Sequence, residues 1–437
     1  MNSQTNKDEL ESHGDYALTA VPLNARRGFI SMTAVMLGFT FFASSMWTGG
    51  TLGQNFSLWP DLLLVILGGN LLLGIYGSLL AYAASKTNLS THVLLWHSFG
   101  VKGSKLPSFM LAITQIGWFG VGIAMLSAPI TKYVGIPYVP LLLVGGLAMT
   151  YTVAVGFKAI ELLSMIAVPA ILILGFTSVF KAIFDAPEGI DTILFSEPSG
   201  SMTIAVGMSL AVGSFISGAT LTPDFVRFSK NKRIGVFSTA IGFVFGNSLM
   251  FIFGAVGAIA TGVSDIAEVL ALQGLLGAGI ILLVLNIWTT NDNALYASGL
   301  GLVNITGLKR SHLVWAAGIF GTVASDFLYN NFIGWLSFLS VSLPPIGGII
   351  IADFFFRART NYPSVESFKP QRFNGVAIVA WLIAIAVSVA SPDTGVFSVA
   401  PLNAIVATIV SYAVLTAALE KVAKRAIPKS VEALKSS

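Results

Sequence analysis

The sequence predicts an all-α integral membrane protein with 12 transmembrane helices, and three observations support that fold class. Of the 437 residues, 55% are hydrophobic and only 10% are charged, whereas soluble domains carry about 25% charged residues. The mean hydropathy is +0.82. Apolar stretches of about 20 residues, long enough to cross a bilayer, recur through almost the whole chain. We therefore expect one polytopic domain and not a soluble domain with an anchor.

The apolar stretches place the helices in order along the chain. The predicted spans are 29–56, 61–84, 106–133, 139–157, 160–183, 202–222, 235–262, 273–303, 313–329, 332–355, 374–391 and 401–420. Only Asn330 and Asn331 mark the turn between the ninth and tenth helices. We expect a single domain over residues 28–420, between a disordered tail at 1–27 and a second tail at 421–437.

Basic residues segregate to one side of this layout. With the N-terminus inside, the inner segments carry most of the basic residues: Arg26, Arg27, Lys86, Lys102, Lys105, Lys158, Arg227, Lys230, Lys232, Arg233, Lys309, Arg310, Arg357, Arg359, Lys369 and Arg372. The outer segments receive Lys132 and Lys181, and they carry acidic residues instead. Cytoplasmic loops of membrane proteins are enriched in Lys and Arg. The pattern therefore predicts that both termini are cytoplasmic.

Two helices are predicted to be interrupted. Small and hydroxylated residues crowd the first helix between Gly38 and Gly50, and the sixth helix over residues 212–220. A glycine in a helix interior costs about 1 kcal/mol, and unpaired backbone groups are tolerated only beside protein or a cavity. The two helices hold equivalent positions in two consecutive five-helix units, a pattern that indicates the binding site of a transporter. The alternative is a pair of small-residue packing faces.

The eighth helix contains the densest polar cluster. Its members lie within eight residues and are Asn286, Thr289, Thr290, Asn291, Asp292 and Asn293. Asn286, Thr289 and Thr290 share one helix face, and their oxygens suit a hard, monovalent cation because none of them is charged. Asp292 is a carboxylate deep inside a span, which usually marks an ion or proton pathway or a substrate partner. The alternative is hydrogen bonding between helices.

The third helix places Gln115 and Trp118 three residues apart, and hence on one face. A Trp face can stack on a planar ligand, and a glutamine amide both donates and accepts hydrogen bonds. Phe215, in the sixth helix, can cover the other side of such a ligand. No basic residue is placed deep in any span to meet an anion. The cluster therefore indicates a flat, uncharged, hydrogen-bonding ligand.

Several other kinds of site are excluded or carry two interpretations. The chain has no cysteine, which excludes disulfides and thiol chemistry. His92 and His97 are assigned to the loop after the second helix and form no ligand cluster, so we expect neither a histidine metal site nor an enzyme. Asp224 and Arg227 are spaced as on a helix at the inner surface, where they form either a cytoplasmic gate or a surface ion pair.

At these positions the chain resembles the bacterial cytosine permeases of the nucleobase:cation symporter-1 family. The resemblance rests on Gln115-Ile-Gly-Trp-Phe-Gly-Val-Gly122 and on residues 46–53, 213–217, 221–228, 246–254, 286–299, 330–335 and 344–348. It covers nearly the whole chain except the two tails and the loop at 184–201. It implies a LeuT-like fold, with inverted five-helix repeats at about 28–183 and 202–355 and two peripheral helices at 374–420.

The resemblance also implies sodium-coupled uptake of cytosine by alternating access, in a bacterial inner membrane and without an organic cofactor or nucleic acid. It places sodium on carbonyls of Gly38, Phe41 and Asn286 and on hydroxyls of Thr289 and Thr290. It places the base between Trp118 and Phe215, with a polar edge formed by Gln115, Ser214, Ser217, Asn291 and Asp292. Hydantoin-transporting relatives are expected to carry tryptophan at the position of Phe215, so phenylalanine favours a single small ring.

Two other functions fit parts of the same pattern. A symporter driven by protons through Asp292 would carry a related purine, pyrimidine or hydantoin-like ring, and its uptake would follow pH and ignore sodium. A passive channel for small neutral solutes would not accumulate its solute against a gradient. Paired interrupted helices favour a transporter over a channel.

Overall fold

A helix, or a group of consecutive helices, lies at each of the twelve predicted positions of the computed structural model, which describes residues 15–363, 365, 367, 371–392 and 398–426. We number them by position: helix 1a (Phe29–Thr40), 1b (Ala43–Gly53), 2 (Leu58–Leu62 and Leu63–Thr87), 3 (Lys105–Val134), 4 (Tyr138–Val155), 5 (Phe157–Asp185), 6 (Ile204–Thr220), 7 (Lys232–Ala240, Ile241–Asn247 and Ser248–Thr261), 8 (Leu276–Thr306), 9 (Arg310–Asn330), 10 (Phe332–Ser342, Pro344–Ala352 and Asp353–Arg357), 11 (Gly375–Val389) and 12 (Ala400–Ala426). Short helices connect them at Leu23–Ala25, Thr91–Phe99, Ile190–Leu194, Thr222–Val226 and Ile266–Leu272.

The predicted all-α membrane fold class is confirmed, whereas the number of twelve transmembrane helices stays a prediction. The described residues contain no strand, only one isolated bridge between Arg27 and Ser229. By length and composition, seven of the described helices can cross a membrane, or eight when 1a and 1b are taken as one bent span. Large apolar side chains point outward from many of them, for example Leu64, Leu67, Leu71 and Ile75 along helix 2. Lipid, and not water, is the solvent that such a surface requires.

Helices 3 and 8 pack against each other at the centre of the bundle. Around them, helix 1a packs on helix 5, helix 1b on helix 7, and helix 6 on helix 2, while helices 11 and 12 pack together. A Cβ on Gly254 would lie 1.8 Å from the carbonyl oxygen of Met46. Only glycine fits there, because the main chains of helices 1b and 7 touch. The bounds of the inverted repeats stay a prediction.

The interruption of the first helix is confirmed. Helices 1a and 1b meet at an angle of 53°. Phe42 between them is extended, with φ −130° and ψ 135°, and Phe41 has ψ 88°. The break falls inside the predicted stretch between Gly38 and Gly50.

The interruption of the sixth helix lies later than the predicted segment. Helix 6 runs unbroken through residues 212–220, breaks at Leu221 and resumes in the short helix Thr222–Val226. Pro223 stands in the first turn of that short helix. Proline lacks an N–H and is favoured in the first turn of a helix, where that N–H would have no partner in the helix. A new helix therefore starts here, whereas Gly213 and Gly218 are accommodated inside helix 6.

The prediction of two tails is partly wrong. Residues 1–14 and 427–437 lie outside the described residues. Residues 15–27, predicted as disordered, pack on the bundle, and Ala17 and Val21 in this segment are fully buried. The amide of Val21 donates to the carbonyl oxygen of Asn88. Helix 12 continues through residues 421–426, which were assigned to the C-terminal tail.

Candidate functional site

The break between helices 1a and 1b releases main-chain oxygens inside the bundle. The amide of Phe41 donates to the carbonyl oxygen of Leu37 at 2.8 Å, which is the last such bond of helix 1a. Helix 1b starts with the amides of Ser45 and Met46, which donate to the carbonyl oxygen of Phe42. Because Phe42 is extended, the carbonyls of residues 38–41 have no helical amide one turn ahead. Gly38 and Phe41, both predicted as sodium ligands, belong to this set.

Helix 8 brings three more oxygens to the same place. The hydroxyl of Thr290 lies 3.1 Å from the carbonyl oxygen of Phe41 and 3.2 Å from that of Asn286. The hydroxyl of Thr289 lies 2.9 Å from the carbonyl oxygen of Asn286. All three residues of helix 8 are buried. The structure therefore groups neutral oxygens of Phe41, Asn286, Thr289 and Thr290, which is a suitable set for a hard monovalent cation.

A cavity with aromatic walls lies beside this oxygen group. It is lined by Phe39, Phe42, Gln115, Trp118, Ser214, Phe215, Ser217, Gly218, Thr290 and Ala294. Five of the seven predicted substrate contacts are therefore brought together. The indole N–H of Trp118 donates to the hydroxyl of Ser217 at 3.0 Å, which joins helices 3 and 6 across the cavity.

Some polar groups that line the cavity have a hydrogen-bond partner within the protein, and others have none. The hydroxyl of Ser214 donates to the carbonyl oxygen of Ala211 at 2.8 Å. The amide nitrogen of Gln115 is buried, and it has no hydrogen-bond partner within the described part of the chain. Buried donors are almost always paired, so an orphaned one calls for a ligand or a water. Gln115 thus presents a free donor to whatever fills the cavity.

The sequence interpretation missed four lining residues: Phe39, Phe42, Gly218 and Ala294. The ring of Phe39 meets that of Phe215 edge to face, with centroids 5.1 Å apart, and Phe42 meets Trp118 in the same way at 5.6 Å. A Cβ on Gly218 would lie 2.6 Å from the Phe215 ring. A usable signal existed, because Gly218 and Ala294 each follow a predicted site residue by one helical turn, four positions after Ser214 and Thr290.

Two of the predicted substrate contacts are not brought to the cavity. The amide nitrogen of Asn291 donates to the carbonyl oxygen of Phe119 at 3.0 Å. Both carboxylate oxygens of Asp292 lie 2.8 Å from the hydroxyl of Thr152 on helix 4. Successive residues of a helix point about 100° apart. Since Thr290 faces helix 1, the next two side chains face helices 3 and 4 and do not line the cavity in this structure, and their assignment to the polar edge stays a prediction.

Thr290 belongs both to the group of neutral oxygens and to the lining of the aromatic cavity. Its hydroxyl joins the oxygens of Phe41 and Asn286, and the same residue lines the aromatic cavity. Phe42, the residue after Phe41, also lines the cavity. A cation and a cavity ligand would therefore touch the same short pieces of helices 1 and 8.

At the end of the bundle that carries residues 15–27, a buried arginine holds this N-terminal arm in place. Arg227 is fully buried. Its guanidinium donates to the carbonyl oxygens of Tyr16 at 2.6 Å and Asp15 at 3.0 Å, and to the hydroxyl of Tyr296 at 3.0 Å. Its Nε donates to the main-chain oxygen of Asp224, not to the carboxylate. The surface ion pair is therefore excluded, and the arrangement fits the alternative, a gate.

The histidines assigned to a loop lie on the short helix Thr91–Phe99 and are buried. Nε2 of His92 is 3.7 Å from a carboxylate oxygen of Asp224. Burial lowers the pKa of His92 to about 3, and burial raises the pKa of Asp224 to about 7. His92 is therefore neutral at neutral pH, and the contact is not an ion pair. Asp224 also accepts from the amide of Thr91 at 2.8 Å, which joins the short helix Thr91–Phe99 to the short helix Thr222–Val226.

Comparison with known proteins identifies the family. The sequence pattern described as "Permease for cytosine/purines, uracil, thiamine, allantoin" matches residues 20–415. The cytosine permease of Escherichia coli strain K12 is 48% identical over 412 residues, which cover 94% of this chain and 96% of the relative.

Solved structures agree on the fold. Mhp1, described as a nucleobase-cation-symport-1 family transporter in a closed conformation with bromovinylhydantoin bound, superposes with a TM-score of 0.80 at 18% identity, and covers 94% of this chain and 97% of its own. A Na⁺-coupled sialic acid symporter superposes with a TM-score of 0.69 at 15% identity, over 90% of each chain. The LeuT-like fold is thus confirmed, and the chain belongs to the family of multi-pass membrane permeases for cytosine, purines, uracil, thiamine and allantoin.

Proposed function

We propose that this protein imports cytosine together with sodium by alternating access across the bacterial inner membrane, with both termini in the cytoplasm. The observation that carries the proposal is the double role of Thr290, which joins the neutral oxygen group to the aromatic cavity. A shared residue gives a physical reason for one ligand to affect the other.

The oxygen group fits sodium. Its members are main-chain carbonyls and hydroxyls, which are hard donors without charge, so a monovalent ion is favoured over a divalent one. Gly38 lies in the stretch of released carbonyls and stays in the proposed ligand set. Sodium would supply the positive charge, while the protein residues orient the oxygens and exclude water.

The cavity fits a small planar base. Trp118 and Phe215 supply aromatic faces, and Gln115 supplies an unpaired amide donor. Cytosine carries a ring carbonyl and a ring nitrogen that accept hydrogen bonds, so the donor of Gln115 matches its edge. Phe39 and Gly218 pack against Phe215, and this tight packing favours a single small ring over one with a large substituent. The relative from Escherichia coli named as a cytosine permease supports this choice.

Coupling would follow from the shared contacts. A cation held between the helix 1 break and helix 8 fixes Phe41, and with it Phe42 and Thr290, which line the cavity. Sodium and cytosine then raise each other's affinity by the same factor, as linkage requires. Arg227 and the arm would close the cytoplasmic side while the cavity is filled, and would release it for substrate exit.

Uptake into proteoliposomes tests the proposal. Radiolabelled cytosine is expected to accumulate against its gradient when sodium is imposed outside, and not when potassium replaces sodium. Accumulation that follows an imposed pH gradient and ignores sodium would contradict sodium coupling and assign the role to the buried carboxylate of Asp292. Equilibration without accumulation under either gradient would indicate a channel.

Replacing Thr290 with valine is expected to raise the half-saturating sodium concentration about 10-fold or more, because the hydroxyl oxygen that would bind the cation is lost. The half-saturating sodium concentration for cytosine binding measures this effect. Thr306→Val is the matched control, since Thr306 lies on the same helix and is exposed, and its hydroxyl only donates to the carbonyl oxygen of Leu302 and accepts from the amide of Leu308, both outside the oxygen group. Equal sodium dependence in both variants would remove Thr290 from the cation site.

A further inference from the structure

Ser164 on helix 5 has a buried hydroxyl that the protein does not use. Its side chain is fully buried, and its oxygen has no hydrogen-bond partner among the described residues. Buried serines in helices commonly donate to a carbonyl of the preceding turn, as Ser214 does in helix 6 and Ser298 in helix 8. An unpaired buried hydroxyl destabilises a fold. Ser164 therefore calls for a partner other than protein.

The position of this hydroxyl indicates the partner. Ser164 faces helix 1a at Gly38, where an ideal Cβ would lie 2.4 Å from the serine oxygen and 2.7 Å from the serine Cβ. The oxygen is thus packed directly on the main chain of Gly38, four residues before the extended Phe42. Gly38 is also one of the residues whose carbonyl has no helical amide partner because of the break.

We propose that the hydroxyl of Ser164 is a further ligand of the cation bound at the helix 1 break, an inference that rests on the proposed sodium binding. The cation would then join three helices: helix 1a through Gly38, helix 8 through Asn286, Thr289 and Thr290, and helix 5 through Ser164. A hydroxyl adds a hard oxygen without charge, which keeps the set suited to a monovalent ion.

The proposal gives a role to a serine that destabilises the fold when no ion is bound. A hydroxyl that only fills space between helices 1a and 5 would be replaced by alanine without loss, since alanine removes the unpaired group. A ligand cannot be replaced in that way. Ser164→Ala therefore separates the two roles.

The test uses purified full-length protein and two readouts, the sodium-dependent rise in melting temperature and the sodium dependence of cytosine binding. Ser164→Ala is expected to raise the half-saturating sodium concentration about 10-fold or more. Its melting temperature in potassium should be equal to or higher than that of the natural protein. Ser164→Cys, which keeps the shape of the side chain but replaces oxygen by a larger, soft sulfur, should raise the half-saturating concentration as well, and it covers the case that the alanine variant does not fold.

Ser178→Ala is the matched control. Ser178 lies on the same helix and is buried, but its hydroxyl donates to Gln273 at 2.7 Å. This variant should lose stability in both salts and keep the natural sodium dependence. If natural protein responds to sodium and the two Ser164 variants respond at the same concentration, the inference is overturned and the proposed function stands. If natural protein itself shows no sodium response, both are overturned together.

Discussion

Replacing Trp118 with alanine is expected to weaken cytosine binding about 5- to 150-fold. Stacking of a base on an aromatic side chain contributes about 1–3 kcal/mol, which corresponds to that range of dissociation constants. The substitution also removes the bond from the indole N–H to Ser217 that joins helices 3 and 6. Titration calorimetry at saturating sodium measures the change directly. Uptake should fall in parallel, since the base must bind before it is carried.

Two control variants separate stacking from the loss of the indole bond. Trp118→Phe retains an aromatic face but loses the N–H, so its binding should lie between that of natural protein and that of the alanine variant. Trp59→Leu changes a tryptophan that is 54% exposed and lies outside the cavity, and its binding should be unchanged. An unchanged cytosine affinity in folded Trp118→Ala protein would contradict the assignment of the cavity.

Replacing Arg227 with glutamine is expected to undock the N-terminal arm. The guanidinium makes three bonds that join the arm and helix 8 to the segment after helix 6, and hydrogen bonds to charged groups contribute about 1.5–3 kcal/mol each. Losing even one of them shifts the docked equilibrium about 10-fold or more. The chain has no cysteine, so a single Ala17→Cys reporter is unambiguous. Ala17 is fully buried in the docked arm, and its labelling by a water-soluble maleimide should accelerate by that factor.

Arg26→Gln is the control for the arm. Arg26 also donates to a main-chain oxygen, that of Val21, but both residues belong to the arm, so this bond does not attach the arm to the bundle. Labelling of the reporter should therefore change little. If Ala17→Cys remains protected in a folded Arg227→Gln protein, the arm is held by its apolar contacts and Arg227 is not the gate residue.

The features that the sequence predicts well are those set by local composition. Apolar runs place the helices at the twelve predicted positions to within several residues, because a bilayer demands both length and hydrophobicity, but they do not place the short connecting helices such as Thr91–Phe99. The cluster from Gly38 to Gly50 marks the break of helix 1, since such residues do not favour an unbroken lipid-facing helix. The break of helix 6 lies later than predicted, because the glycines at 213 and 218 are accommodated inside the helix. Pro223, which lacks an N–H, stands in the first turn of the next helix.

The features that the sequence does not predict depend on tertiary packing. Asn291 and Asp292 follow Thr290 directly, and only the rotation of helix 8 against helices 1, 3 and 4 decides which of the three reaches the cavity. The docking of the arm was missed because Arg227 binds main-chain oxygens of Asp15 and Tyr16. Every residue carries a main-chain oxygen, so no pattern of side chains in the sequence predicts which ones Arg227 binds.

The measurement that tests the central claim most directly is cytosine affinity as a function of sodium, in purified protein with potassium as the balancing ion. Shared contacts at Thr290 predict that saturating sodium tightens cytosine binding by a factor in the range of about 5 to 150. Saturating cytosine must lower the half-saturating sodium concentration by the same factor. Equal cytosine affinity in sodium and in potassium would contradict the account, because a cation that does not affect cytosine binding cannot drive its uptake through this site.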